Sequence, residues 1–119
     1  MAWDFTCVDS LAPSNIVACS TAPAAAAEKA YRAKEAKYFD LGSRFHIQPV
    51  AVETSGSWAV DSLAFVRDLG RRVAKISNEA RAGAFLFQRI SVILQKTNAA
   101  SVLGTLPQPS RLDEVFFIL

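Results

Sequence analysis

Apolar and polar positions alternate with a period of two in two places. From Trp3 to Val8, the residues Trp3, Phe5 and Cys7 share one side and Asp4, Thr6 and Val8 the other; the aromatic and β-branched content predicts a strand, central in its sheet. From Arg44 to Val52, the set Phe45, Ile47, Pro49, Ala51 alternates with His46, Gln48, Val50, Val52. Both sides are partly apolar, as in a sheet covered on both faces, and Pro49 removes one ladder donor, which favours an edge or a bulge. Between them the period lengthens to that of a helix. Ser20-Thr21-Ala22-Pro23 offers a capping hydroxyl and a first-turn proline. Ala24 to Tyr38 then places Ala27, Tyr31, Lys34 and Tyr38 on one face, and Leu41-Gly42 ends the run.

Downstream, Glu53-Thr54-Ser55-Gly56 closes the second strand and Ser57 is positioned to cap a helix whose stripe is Leu63, Val66, Leu69, Val73 and Ile76. Ser77-Asn78 breaks it. A third helix runs from about Glu79 to Ala100, with Leu86, Ile90, Ile93, Leu94 and Thr97 on one side. The predicted class is α/β: a short sheet with a parallel, right-handed strand-helix-strand crossover, covered by two further helices. Residues 1–103 form the domain. Residues 104–119 form a turn-rich linker and an apolar tail, Val115-Phe116-Phe117-Ile118-Leu119, expected to dock on the helices. Strand-like sequence begins almost at Met1, which reads as a piece of a longer protein.

With 119 residues, 51% of them hydrophobic and 20% charged, the chain has material for one core, and a disordered reading is excluded. A formal net charge of +2 demands no polyanionic partner, so any nucleic-acid contact rests on local clusters of positive charge. Cys7 and Cys19 lack zinc-site spacing and read as reduced intracellular thiols. No secretory signal is present, and no apolar run reaches the roughly 20 residues of a membrane span. The expected location is intracellular, nuclear or cytoplasmic, with no membrane partner.

Candidate chemistry is narrow. Gly-rich phosphate loops, His pairs and nucleophile-base spacings are missing from the sequence, which argues against a hydrolytic triad. A carboxylate at the start of a buried strand is costly unless compensated, which singles out Asp4. Asp4, Asp9 and Glu53 are expected to converge at one end of the sheet, where oxygen ligands suit Mg²⁺; otherwise Asp9 and Glu53 serve turns. Lys29, Arg32, Lys34 and Lys37, interleaved with Tyr31 and Tyr38, make the first helix basic, either for phosphate contact or as a solvated face with Glu28 pairing Arg32. His46 is given no role.

The run Trp3-Asp4-Phe5-Thr6-Cys7-Val8-Asp9-Ser10-Leu11-Ala12-Pro13-Ser14 is followed by Ala26-Ala27-Glu28, Lys34 to Tyr38, Pro49-Val50-Ala51-Val52-Glu53-Thr54, Phe87-Gln88-Arg89-Ile90-Ser91 and Asn98-Ala99-Ala100. In this order they resemble a C-terminal segment of proteins from non-LTR retrotransposons, downstream of the reverse transcriptase. More distantly, the strand-helix-strand portion is similar to restriction-like endonucleases of the PD-(D/E)XK superfamily. The resemblance implies a truncated restriction-endonuclease-like core whose upstream strands, with the first acidic motif, are missing. It implies DNA as partner, Mg²⁺ as cofactor, Asp4 as metal ligand, and Lys34, with Lys37 second, as the catalytic lysine supplied from the helix. Thr6 stands where that lysine usually follows the acid. Lys29, Arg32 and Tyr38 would contact nucleic acid. A chain without the first acid is expected to cut slowly or not at all. The upstream part of a larger polyprotein, or a protein partner, would complete it; a non-catalytic helical binding module is the alternative.

Overall fold

The computed structural model describes residues 2–39 and 46–105. Strand β1 (Ala2–Val8) leads through a short helix α1 (Ile16–Thr21) to α2 (Ala25–Phe39). Strand β2 (Ile47–Glu53) then precedes α3 (Val60–Ser77) and α4 (Ala82–Leu103). The strands pair in parallel, with Asp4 beside Pro49, Thr6 beside Ala51 and Val8 beside Glu53. The class is mixed α/β, as the alternation predicts, with a two-stranded sheet among the described residues. Among the described residues β1 therefore has a strand on one side only, where a central strand was expected. The expected stop at Leu41-Gly42 and the expected docking of Val115 to Leu119 lie outside the described residues.

The helices divide between the two faces of the sheet. Asp4 and Glu53 meet α2 on one face, while Trp3 and Phe5 pack edge-on against Phe65 and Trp58 on the other. The alanine run of α2 explains its approach: Ala27 and Ala51 are fully buried against each other's elements, with Tyr31 and Ala59 completing the cluster. Small side chains with the best helix propensity allow a backbone to lie low on a sheet without losing helicity. Pro49 also finds its reason. Alternate residues of β2 turn away from β1, and Pro49 occupies one of those outward positions, where its missing N–H costs the ladder nothing.

The other face is covered incompletely. Val66 of α3 and Leu94 of α4 are buried, but the C-terminal half of the predicted α3 stripe runs past the sheet, leaving Val73 and Ile76 exposed, and Ile93 is exposed on α4. Asn98 ties α4 to the end of β2 by donating to the Thr54 carbonyl at 2.8 Å. No described helix is long and apolar enough to cross a membrane.

α3 and α4 cross at a pair of glycines. A Cβ built on Gly70 would stand 2.9 Å from the Gly83 Cα, whereas one on Gly83 meets its nearest atom, the Gly70 carbonyl carbon, at an ordinary 3.5 Å. Gly70→Ala should therefore force the helices apart and cost about 1–3 kcal/mol. Gly83→Ala should be neutral or stabilise by up to about 1 kcal/mol through helix propensity. Urea denaturation of the two variants checks the asymmetry; equal effects would show that the crossing is looser than this contact requires.

Candidate functional site

The site is built by the crossover. α2 begins above the C-terminal end of β2 and runs back over the sheet toward the N-terminal end of β1. Its start is fixed by Glu53, a residue only 2% exposed. Glu53 Oε1 accepts hydrogen bonds from the Ala26 and Ala27 amides at 2.9 and 3.3 Å, and Oε2 accepts from the Ser55 hydroxyl at 3.0 Å. Burial pushes this carboxyl up, but the amides of Ala27 and Ala26 and the Ser55 hydroxyl outweigh it, so the net shift is below the ordinary glutamate value of 4.5. The expected caps, Ser20 and Thr21, instead turn back to the carbonyls of Val17 and Ala18 and close α1. A neighbouring strand supplies the cap because Ala24, in the left-handed region at φ 62°, has no side chain that reaches the α2 amides.

At the far end of the crossover, Lys34 and Tyr38 converge on Asp4. Lys34 Nζ donates to Asp4 Oδ2 at 2.5 Å, and the Tyr38 hydroxyl donates to the same oxygen. Among the described residues Oδ1 accepts no hydrogen bond, and the Lys34 and Asp4 side chains are 24% and 32% exposed. The Lys34 ammonium, then the Tyr38 hydroxyl, hold the Asp4 carboxyl below the ordinary aspartate value, and the bond to Asp4 pushes the Tyr38 phenol up. At neutral pH Asp4 is thus a carboxylate and Tyr38 a neutral phenol, and among the described residues both donors share Oδ2.

The remaining candidates fall elsewhere. Lys37 is exposed, its Nζ lying 5.6 Å from the centre of the Tyr38 ring, so it reaches Asp4 only through space. Lys29 and Arg32 are exposed on α2 and do not meet Asp4. The expected convergence of Asp4, Asp9 and Glu53 does not occur. Asp9 Oδ1 accepts the Leu11 amide at 2.9 Å in a turn, and Glu53 pairs with Val8 at the opposite end of the strands from Asp4. No described cluster of metal-ligating side chains reaches three members.

Glu28, whose spacing predicts a pair with Arg32, caps another helix instead. It accepts the Val60 amide at 2.6 Å, the role predicted for Ser57. The local sequence carries no trace of this, because Val60 lies beyond the whole of β2. Ser62, fully buried, accepts the Ala51 amide at 2.8 Å and is likewise invisible to periodicity. Cys7 and Cys19 are free thiols, and His46 serves the sheet through its carbonyl, which accepts the Ala2 amide at 3.0 Å.

No protein-family model, no curated protein and no solved structure matches the chain.

Lys34→Met should return the Asp4 carboxyl toward 3.8, and Tyr38→Phe should do so by a smaller step, both read from the Asp4 side-chain carboxyl resonance on acid titration. The folded value is the depressed one, so the pair's contribution to stability is complete above the unfolded value and disappears as pH falls through the folded value. The same sign holds for Glu53. Glu53→Ala should cost roughly 3 kcal/mol in denaturant at pH 7, by orphaning two helix amides and a buried hydroxyl cluster. Glu53→Gln should cost less and remove that residue's share of the acid-side loss of stability.

Proposed function

We propose that this chain is the strand-helix-strand part of a retrotransposon-derived, Mg²⁺-dependent DNA endonuclease of the restriction-like PD-(D/E)XK kind, weakly active or inactive by itself. The observation that carries the reading is the meeting of Asp4 with Lys34 and Tyr38, residues 30 and 34 positions away in sequence, at one carboxylate oxygen. A solvated helix face would have left Lys34 beside Lys29 and Arg32, in water.

The donor set fits a hard divalent cation. Mg²⁺ takes oxygen ligands and commonly uses only one or two protein carboxylates, the rest being water and substrate phosphate, so Asp4, whose Oδ2 takes both Lys34 and Tyr38, would supply one protein ligand through Oδ1. Bound there, the ion would supply Lewis-acid polarisation of a phosphodiester oxygen and a more acidic water. Lys34 would stabilise negative charge developing on the phosphoryl group, and Tyr38 would keep the Asp4 carboxylate oriented. Lys29, Arg32 and Lys37 on the exposed side of α2 would follow the DNA backbone. A second acidic ligand, from an upstream segment, would complete the centre.

A non-catalytic binding module is the competing reading, favoured by the aromatic surface of Trp3 and Phe5, which are 63% and 52% exposed. The two part on metal. Titration with Mn²⁺ should broaden backbone resonances of Asp4, Phe5, Lys34 and Tyr38, and Asp4→Ala should weaken that binding at least about tenfold, or 1.4 kcal/mol. Broadening that is absent, or that persists unchanged in Asp4→Ala, would leave the binding module standing.

A further inference from the structure

α4 is apolar on two sides. Leu94 is buried, and Leu86, Phe87 and Ile90 stand half-buried on the side turned to α3 and the sheet. A second stripe, Phe85, Arg89, Val92 and Lys96, recurs at spacings of four, three and four residues and so shares one face of the helix. Phe85 and Val92 on it, and Ile93 beside it, are exposed among the described residues, and with Gln88 the stripe lines a groove of about 510 Å³. A helix that is apolar around so much of its circumference is normally covered by neighbours. The face also carries charge of one sign only. Arg89 and Lys96 are the only charged residues of Ala82–Leu103, and neither meets an acidic side chain among the described residues. Its complement is a segment that is both apolar and acidic.

The chain carries such a segment after α4. Residues 106–119 lie outside the described residues; in their sequence the acidic pair Asp113-Glu114 directly precedes Val115-Phe116-Phe117-Ile118-Leu119. We propose that residues 113–119 return antiparallel along this face of α4, the two acids between Lys96 and Arg89 and the apolar run over Val92, Ile93 and Phe85. Order and reach select this occupant. A chain turning back after α4 meets Lys96 before the exposed apolar side chains, just as the acids precede the apolar run in the segment. Lys96 lies roughly 10 Å back from Leu103 at about 1.5 Å per residue, and the seven residues 106–112 span at most about 25 Å, enough to turn and cross to that face. From Val92 to Phe85 the helix covers roughly 10 Å, which five extended residues, at roughly 13 Å, can follow. Tethering also gives the segment a high effective concentration at its own helix. The assignment does not depend on the nuclease reading.

The charge pattern makes the test specific. In the full chain, nuclear Overhauser effects should connect the rings of Phe116 and Phe117 to the Val92 and Ile93 methyls, with intensities independent of protein concentration. Asp113→Lys with Glu114→Lys sets cation against cation and should lower the docked-to-undocked ratio at least tenfold, removing these contacts. Arg89→Glu with Lys96→Glu should remove them equally. All four substitutions together restore opposite charges and should bring the contacts back. Contacts missing from the unaltered chain overturn the proposal and leave the face to an acidic, apolar partner from another chain. Contacts that strengthen as protein concentration rises overturn it in favour of a second copy, and contacts that survive the acid reversal unchanged overturn the assigned register.

Discussion

The carboxylate of Glu53 sets the geometry of everything on its face of the sheet. It sits at the end of β2, where an ionised group is costly to bury, and offsets that cost by closing the first turn of α2. The consequence is a fixed phase and height for the helix. From Ala26 to Lys34 the helix rises roughly 12 Å at about 1.5 Å per residue. From Glu53 back to Pro49, the residue beside Asp4, the strand covers roughly 13 Å at about 3.3 Å per residue. The two lengths match, so anchoring the first turn to Glu53 delivers Lys34 to Asp4. Tyr38, one further turn along, reaches the same oxygen from the next position of the same stripe.

The second layer repeats the device with weaker parts. Glu28, in the first turn of α2, closes the first turn of α3, so the helix positioned by one strand in turn positions a helix across the sheet edge. Neither α2 nor α3 receives a side-chain cap from its own preceding residues, despite the Ser and Thr content there. The last helix is less firmly packed: α4 buries Leu94, sets Phe87 edge-on against Trp58 at 5.9 Å, and is tied by Asn98 at one end and the glycine crossing with α3 at the other. Stability is therefore concentrated around α2 and β2, the elements that build the candidate site, and thins toward the exposed Val73 and Ile76.

The range of each interaction decides how much of this is legible in the sequence. Periodicity locates β1, α2 and β2 within a few residues because alternation and helical stripes are local consequences of burial, and parallel pairing is implied by the helix between the strands. The stripe Ala27, Tyr31, Lys34, Tyr38 places an amine among packing residues, a local anomaly that points to a partner on the sheet. The caps are illegible. Glu53 reads as a strand end and Glu28 as a helix-surface acid, because their partners lie 27 and 32 positions away. The short α1 is hidden by its Ser, Asn and Ala composition, and β1 reads as central because exposed aromatic residues look like buried ones in a pattern of apolar letters.

The position of Thr6 bears on the proposed chemistry. In a strand, a lysine two residues after Asp4 would project from the same face roughly 6.6 Å further along. Here that place is held by a short hydroxyl side chain beside the fully buried Ala51, where a long cation would have to thread between sheet and helix. The alanine-lined contact that lets α2 lie low on the sheet would therefore crowd a strand lysine at the half-buried position 6. The same contact brings α2 close enough for Lys34 to reach Asp4. On the proposed nuclease reading, taking the lysine from the helix instead of the strand would follow from that packing distance. It holds only while Glu53 keeps the helix in phase, which makes a buried acid at one end of the crossover a condition for the ion pair at the other.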